Sequence, residues 1–210
     1  MIIRYLGHSC FEITSKNGAK IITDPYTKVG YELPERLDAD VVTCSHGHFD
    51  HNYVEAVNAK AILSKSGEYT VGGIDFRGVD SYHDPKMGAL RGNNVIFLMK
   101  IDDMTLCHMG DIGEECTQAL VDRIGKVDVL LIPVGGTYTI DPVGAKKYID
   151  AIAPKVVIPM HYKPQDGALD ILGIQSFLQL YTKEEIRTVI DGVISIDAST
   201  SGIVYMERVK

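Results

Sequence analysis

Strand-length β-branched runs recur along the chain, at residues 2–6, 11–14, 20–23, 41–43, 61–63, 74–79 and 95–101, and they commit its first half to sheets. Asp102-Asp103 separates the last of these from a further run at 104–108 and reads as a tight hairpin turn, because aspartate tolerates the backbone conformations such turns require. An early meander is therefore expected. Beyond residue 126 the rhythm changes to an alternation of strand and helix: strands at 127–133, 156–159 and 186–190, helices at 141–151 and 174–180, and a closing strand at 203–209. Asp141 followed by Pro142 is a good helix start, since the carboxylate caps free amides and proline fits the first turn. A short helix is also expected from Asp50 toward Val57. Strands first and helices late predict sheets covered by helices. No linker, repeat or low-complexity tract divides the chain, so a single domain over 1–210 is expected.

Composition narrows the function classes. With 45% apolar residues in 210, a substantial core closes without covalent staples. The formal net charge of -7 is spread along the length with no basic stripe, which argues against binding a nucleic-acid backbone. No apolar run approaches the roughly 18 residues of a membrane span, and the opening MIIRYLGHSCFEI lacks the regions of a cleavable signal, so a cytoplasmic location is expected. Cys10, Cys44, Cys107 and Cys116 are too few and too irregularly spaced for a disulfide framework or a thiolate metal site.

The segment CSHGHFDHN, from Cys44 to Asn52, gathers three of the seven histidines. It follows a strand, as do the other candidate metal ligands: 74–79 leads into His83, 104–108 into Asp111, and 156–159 into His161. Strand ends collect loops from distant parts of a sequence at one rim, where sites usually sit. Imidazole and carboxylate suit zinc, manganese and iron, with a coordination position left for water. His46 and His48 can point the same way from an extended loop, while the Asp50-His51 pair, differently oriented, can serve a second ion. Asp111 could bridge the two, with Gly110 allowing close backbone approach. A bridging hydroxide would then be the nucleophile.

Other residues are candidates for contacts around the ions or to substrate. His8 lies between the first two strands and either faces the site or is structural. Asp24 before Pro25 could hold the metal loop by hydrogen bonds, although a turn aspartate is the simpler reading. The loop Pro133-Val134-Gly135-Gly136-Thr137-Tyr138 could offer glycine amides to an anion and the Tyr138 phenol as a donor, or be a plain flexible loop. Tyr162 and Lys163 adjoin His161, and the lysine could steer a phosphate or carboxylate.

In SHGHFDH, the His-Asp of Ser81-Tyr82-His83-Asp84, the Gly-Asp of His108-Met109-Gly110-Asp111 and the late His161, taken in order, the chain resembles the metallo-β-lactamase superfamily of metal-dependent hydrolases. YLGHSCFEI, Thr23-Asp24-Pro25 and the HMGD segment are most similar to a branch of small lactonase-like proteins that includes ascorbate-6-phosphate lactonase and, more distantly, N-acyl phosphatidylethanolamine phospholipase D. The resemblance covers nearly the whole chain. It implies a four-layer αββα sandwich of two mixed sheets with a dinuclear site at one edge. It also implies that His46, His48 and His83 hold one ion, that Asp50, His51 and His161 hold the other, and that Asp111 bridges. His108, three residues before Asp111, is the competitor of His83 for third ligand; His83 is preferred, leaving His108 to orient a ligand or contact substrate.

The function expected is hydrolysis of a small ester, lactone or phosphodiester by two divalent ions, zinc first and manganese or iron also accommodated. Asp50 would orient the nucleophile or accept its proton, and Asp111 would hold the ions together. A metal-stabilised binding or regulatory protein without turnover is the alternative. The sequence leaves room for a homo-oligomer and does not name the substrate.

Overall fold

The computed structural model describes residues 1–209. Two mixed sheets face each other across a shared apolar interior. The first contains β1 (Ile2–Gly7), β2 (Cys10–Thr14), β3 (Lys20–Thr23), β4 (Leu37–Thr43), β5 (Val57–Leu63) and β13 (Val193–Ser195), in the order β13-β1-β2-β3-β4-β5. The second contains β6 (Gly67–Val71), β7 (Ile74–Tyr82), β8 (Asn93–Ile101), β9 (Met104–His108), β10 (Val129–Pro133), β11 (Val156–Met160), β12 (Ile186–Val189) and β14 (Gly202–Met206), in the order β12-β14-β11-β10-β9-β8-β7-β6. The sandwich of two mixed sheets expected from the sequence is the fold observed.

Period-two alternation sorts the side chains of the first sheet. Ile3, Phe11, Ile13, Ile21 and Val41 point into the body shared with the second sheet, whereas Leu6, Cys10, Ile22 and Val42 pack on the other face. That outer face is covered by irregular chain carrying Tyr26, Val29, Tyr31 and Leu33, not by an α-helix. The helices α1 (Gln118–Ile124), α2 (Pro142–Ile152) and α3 (Gln175–Leu178) instead join the apolar body of the second sheet through Leu120, Ile124, Ala145, Tyr148 and Phe177. Among the described residues the helical layers are thus unequal.

Several expectations are met in detail. Asp102 and Asp103 both have positive φ (52° and 66°) in the β8–β9 hairpin. Asp141 caps α2, its carboxylate accepting from the Gly144 amide at 2.7 Å. The helix expected from Asp50 is absent: the chain makes one turn, with the His51 amide donating to His48 O at 3.0 Å, and then a 3-10 turn at Val54–Ala56. Strands β6 and β13 and helix α1 were not foreseen; at five, three and seven residues they are too short for their periodicity to stand out.

Strand direction explains why the candidate ligands converge. β9, β10 and β11 run parallel, and β7, two antiparallel steps from β9, runs the same way, so His83, Asp111 and His161 leave the second sheet at one rim. In the first sheet β3 and β4 are parallel and β1, again two antiparallel steps away, shares their direction, which brings His8, Asp24 and the segment from Ser45 to His51 to one rim. Hydrogen bonds join the two rims: the Val95 amide donates to Ser45 O at 2.8 Å and the His161 amide to His8 O at 2.9 Å.

Candidate metal centre

Seven expected ligands and His8 meet where the rims join. Potential ligand atoms of His46, His48 and His83 lie within 4.8 Å of one another, as do those of His8, Asp50, His51 and His161, and those of His46, His51 and Asp111. Asp111 Oδ2 lies between the two halves. It stands 3.1 Å from Nε2 of both His51 and His161, 3.3 Å from Nε2 of His83 and 4.0 Å from Nε2 of His46. His51 Nε2 is also 3.6 Å from Asp50 Oδ2.

These separations are short, yet the groups do not satisfy one another. Nε2 of His46, His51 and His161 and Oδ1 of Asp111 are buried and without a hydrogen-bond partner. Buried polar atoms in folded proteins are nearly always paired, and each one left unpaired costs about 1–3 kcal/mol. Imidazoles crowded about a carboxylate oxygen without hydrogen-bond alignment are aimed at points between them. Such an arrangement fits divalent cations, which would satisfy these atoms together.

A buried hydrogen-bond network fixes the first sheet's contribution. Asp24, fully buried at φ 40°, accepts from the Ser45 amide through Oδ1 at 2.7 Å, and its Oδ2 accepts from the Ser45 hydroxyl at 2.5 Å and from His51 Nδ1 at 2.8 Å. A carboxylate only accepts, so His51 carries its proton on Nδ1 and turns Nε2 toward Asp111. The Ser45 hydroxyl lies 2.9 Å from Nδ1 of His46. Of the two readings of Asp24, the simpler one as a plain turn former gives way to the other: its hydrogen bonds tie the histidine-rich loop to the end of β3.

On the second sheet, Asn94 does equivalent work. Its Oδ1 accepts from the Asp111 amide at 2.9 Å, while its amide nitrogen donates to Ser81 Oγ at 2.8 Å and Met109 O at 2.9 Å. Gly110 has φ +56°, and a Cβ there would collide with Asn94 Oδ1 and Ser45 Cβ, so the expected close approach is real. His161 is also left-handed, at φ 53°. Non-glycine residues held there cost about 1–3 kcal/mol each and cluster where a site dictates the backbone.

Electrostatics follow from burial. Desolvation lowers His46 to about 3 and His8 to about 4, and lowers His83 as well, keeping these imidazoles neutral at physiological pH. Burial acts in the same sense on His51, but the carboxylates of Asp111 and Asp24 override it and raise this group well above its ordinary value. Burial would raise the Asp50 carboxyl; the hydrogen bond from His8 and the fields of His51 and His8 outweigh it and hold the group below the usual carboxylate range.

The remaining candidates are placed differently. His108 Nε2 donates to Ser9 O at 2.8 Å and its Nδ1 accepts from the Gly110 amide at 3.2 Å, so both ring nitrogens are committed to backbone, whereas His83 Nε2 faces Asp111. Tyr162 is buried and donates to Met206 O at 2.8 Å, which removes it from the substrate side. Lys163 lines a cavity with Tyr5, Tyr31, Tyr205 and Arg208, beside the metal cluster and not within it. The Gly136 amide is taken by Ile140 O at 3.2 Å and is not free for an oxyanion. Tyr138 is exposed, with the Arg91 guanidinium 5.7 Å from its ring centroid. Exposed Phe49, between His48 and Asp50, and exposed Met87 and Leu90, shortly after His83, add apolar surface to the ligand-bearing loops. Ser45 and Asn94 were missed from the sequence, since a serine and an asparagine beside strands carry no signal of their own.

Comparison with known proteins places this arrangement. Residues 2–161 match the model of the beta-lactamase superfamily domain. The chain is 30% identical to a UPF0173 metal-dependent hydrolase of Carboxydothermus hydrogenoformans, covering 77% of this chain and 84% of that protein, and 34% identical to another of Nanoarchaeum equitans over the same shares. A solved structure from Thermotoga maritima, assigned by inference as a Zn-dependent hydrolase of the metallo-beta-lactamase superfamily, is 35% identical, with a TM-score of 0.81 and coverage of 100% of this chain and 99% of that one.

Proposed function

Since the chain belongs to the metallo-β-lactamase superfamily of metal-dependent hydrolases, we propose that it is a dinuclear enzyme acting on a small ester, lactone or phosphodiester, with zinc the first candidate and manganese or iron also suited to its ligands. His46, His48 and His83 would hold one ion, Asp50, His51 and His161 the other, and Asp111 would bridge. The observation that carries this reading is the position of Asp111 Oδ2, within 4.0 Å of imidazoles from both halves of the ligand set. When bound, two such ions supply a hydroxide nucleophile by lowering the pKa of water to about 7 and polarise the bond under attack.

The chain's own residues do the rest. Asp24 and Ser45 orient His51 and His46 before any ion arrives, so little reorganisation is needed at binding. Asp50, with 13% of its side chain exposed, is the carboxylate of the set most open to solvent and suits the role of orienting the nucleophile or taking its proton. Phe49, Met87, Leu90 and Tyr138 offer apolar contact to the organic part of a substrate. On this reading the chain works as a single catalytic domain on small molecules in the cytoplasm, without a nucleic-acid partner. No helix among the described residues is long and apolar enough to cross a membrane.

The test is elemental analysis of protein purified without added metal or chelator, followed by ester, lactone and phosphodiester screens on the same sample. About two ions per chain with hydrolysis, lost in Asp50→Asn while the fold persists, is the expected result. A single ion after reconstitution, or hydrolysis undiminished in Asp50→Asn, would overturn the dinuclear assignment or the role of Asp50 respectively.

A further inference from the structure

His8 stands among the proposed ligands but differs from them in its geometry. Its Nε2 lies 3.2 Å from Asp50 Oδ2 in hydrogen-bond alignment, whereas Nε2 of His46, His51 and His161 make no aligned hydrogen bond, although Asp111 Oδ2 stands 3.1 Å from the last two. The ring is 2% exposed, with its centroid 4.2 Å from that of His161 and 4.9 Å from that of His51. Its backbone is fixed on both sides: the His8 amide donates to the Tyr31 hydroxyl at 3.0 Å, and His8 O accepts from the Tyr5 hydroxyl at 3.0 Å and from the His161 amide at 2.9 Å. The residue is left-handed, at φ 52°, and follows Gly7 at φ +115°, where a Cβ would meet Tyr31 Cε2 at 2.6 Å. So much constraint on one imidazole is unnecessary for filling space, and it places a donor opposite Asp50.

We propose that His8 is a positioning residue that donates its Nε2–H to Asp50 Oδ2 and so sets the carboxylate for the ion shared with His51 and His161. The proposal rests on the dinuclear reading above and adds a residue that is not itself a ligand. Asp50 sits on a turn outside the sheets, with no hydrogen bond to its carboxylate from its own loop among those observed, so its orientation depends on the first sheet's β1–β2 turn. Charge-assisted donation to a ligating carboxylate is the kind of contact whose loss weakens metal binding about 10–100-fold.

Three variants separate donation from packing and from ligation. His8→Phe keeps an aromatic ring and removes the donor; His8→Gln keeps an N–H donor and removes the ring; His8→Ala removes both. Zn2+ titration against a competing chelator, with melting curves of the metal-free variants to verify folding, reads the affinity of each ion separately. The expected result is one ion weakened about 10–100-fold in the Phe and Ala variants, substantially restored by Gln, with the other ion unchanged. Wild-type affinity for both ions in His8→Phe overturns the proposal, as does equal loss in Phe and Gln. Nitrogen NMR of histidine-labelled wild-type protein loaded with Zn2+ tests it without any variant. A protonated Nε2 on His8 is expected, and a metal-bound Nε2 would make it a ligand and sink the positioning role. Fewer than two ions on the wild type would refute the dinuclear reading itself, an outcome distinct from all of these.

Discussion

His51 donates from Nδ1 to Asp24 Oδ2 at 2.8 Å, and both side chains are fully inaccessible to solvent. Asp24→Ala therefore removes the acceptor that holds the His51 tautomer and also strands the Ser45 amide. Metal affinity is expected to fall about 10–100-fold, and the metal-free protein to lose about 1–3 kcal/mol from the unpaired amide. Chelator competition and thermal unfolding measure the two effects; unchanged affinity would show that the tautomer is set elsewhere.

His83 and His108 make opposite predictions. His83→Ala removes a side chain whose Nε2 faces Asp111, so bound metal should drop by about one equivalent. His108→Ala releases Ser9 O and the Gly110 amide and should retain both ions with reduced stability. Elemental analysis after desalting distinguishes them, and equal metal loss in both would undo the assignment.

The pH dependence of stability has two limbs in the metal-free protein. His8 and His46, at about 4 and about 3 against 6.5 in the unfolded chain, favour folding fully above pH 6.5 and lose that contribution as the pH falls toward 3, because the unfolded chain takes up protons first. His51, raised by Asp111 and Asp24, has the opposite sign: its contribution is complete below pH 6.5 and disappears as the pH rises through its folded value. Melting temperature without metal should thus peak near pH 6.5. On the proposed ligand assignment a divalent ion would take the place of the His51 Nε2 proton, so the alkaline decline should vanish on metal loading. A melting temperature that climbs steadily through pH 8 without metal would contradict this.

Gly110→Ala combines a left-handed backbone with a collision against Asn94 and Ser45, the two residues that support Asp111 and His46. A loss of about 1–3 kcal/mol in stability is expected, together with weaker metal binding. Unfolding curves with and without Zn2+ measure both, and a neutral substitution would mean that this approach is looser than the structure indicates.

The histidine-rich segment was legible because its candidate ligands are neighbours in sequence, and strand ends were legible from the β-branched runs that precede them. His83 and His161, each alone in its segment, needed the order of the motifs to be recognised. The role of Asp24 stood as one of two readings because aspartate before proline has an ordinary meaning as a turn, and nothing local shows that its carboxylate reaches a histidine 27 residues later. The helix expected to start at Asp50 did not form for the complementary reason: its carboxylate faces His8 and His51, not the amides that follow it. Tyr162 looked suited to substrate beside His161, but the bend at that histidine turns the phenol inward to Met206 O.

The amides of Val95 and His161, donating across to Ser45 O and His8 O, act as two stitches flanking the candidate centre. Sliding one sheet along the other would tear these stitches before it altered any loop. The spacing of the candidate ligands is therefore governed by how the sheets are sewn together, and exposed loops on the same rim are free to diverge without disturbing it. A scaffold of this kind lets the chemistry stay fixed while the surface that meets the substrate is rewritten.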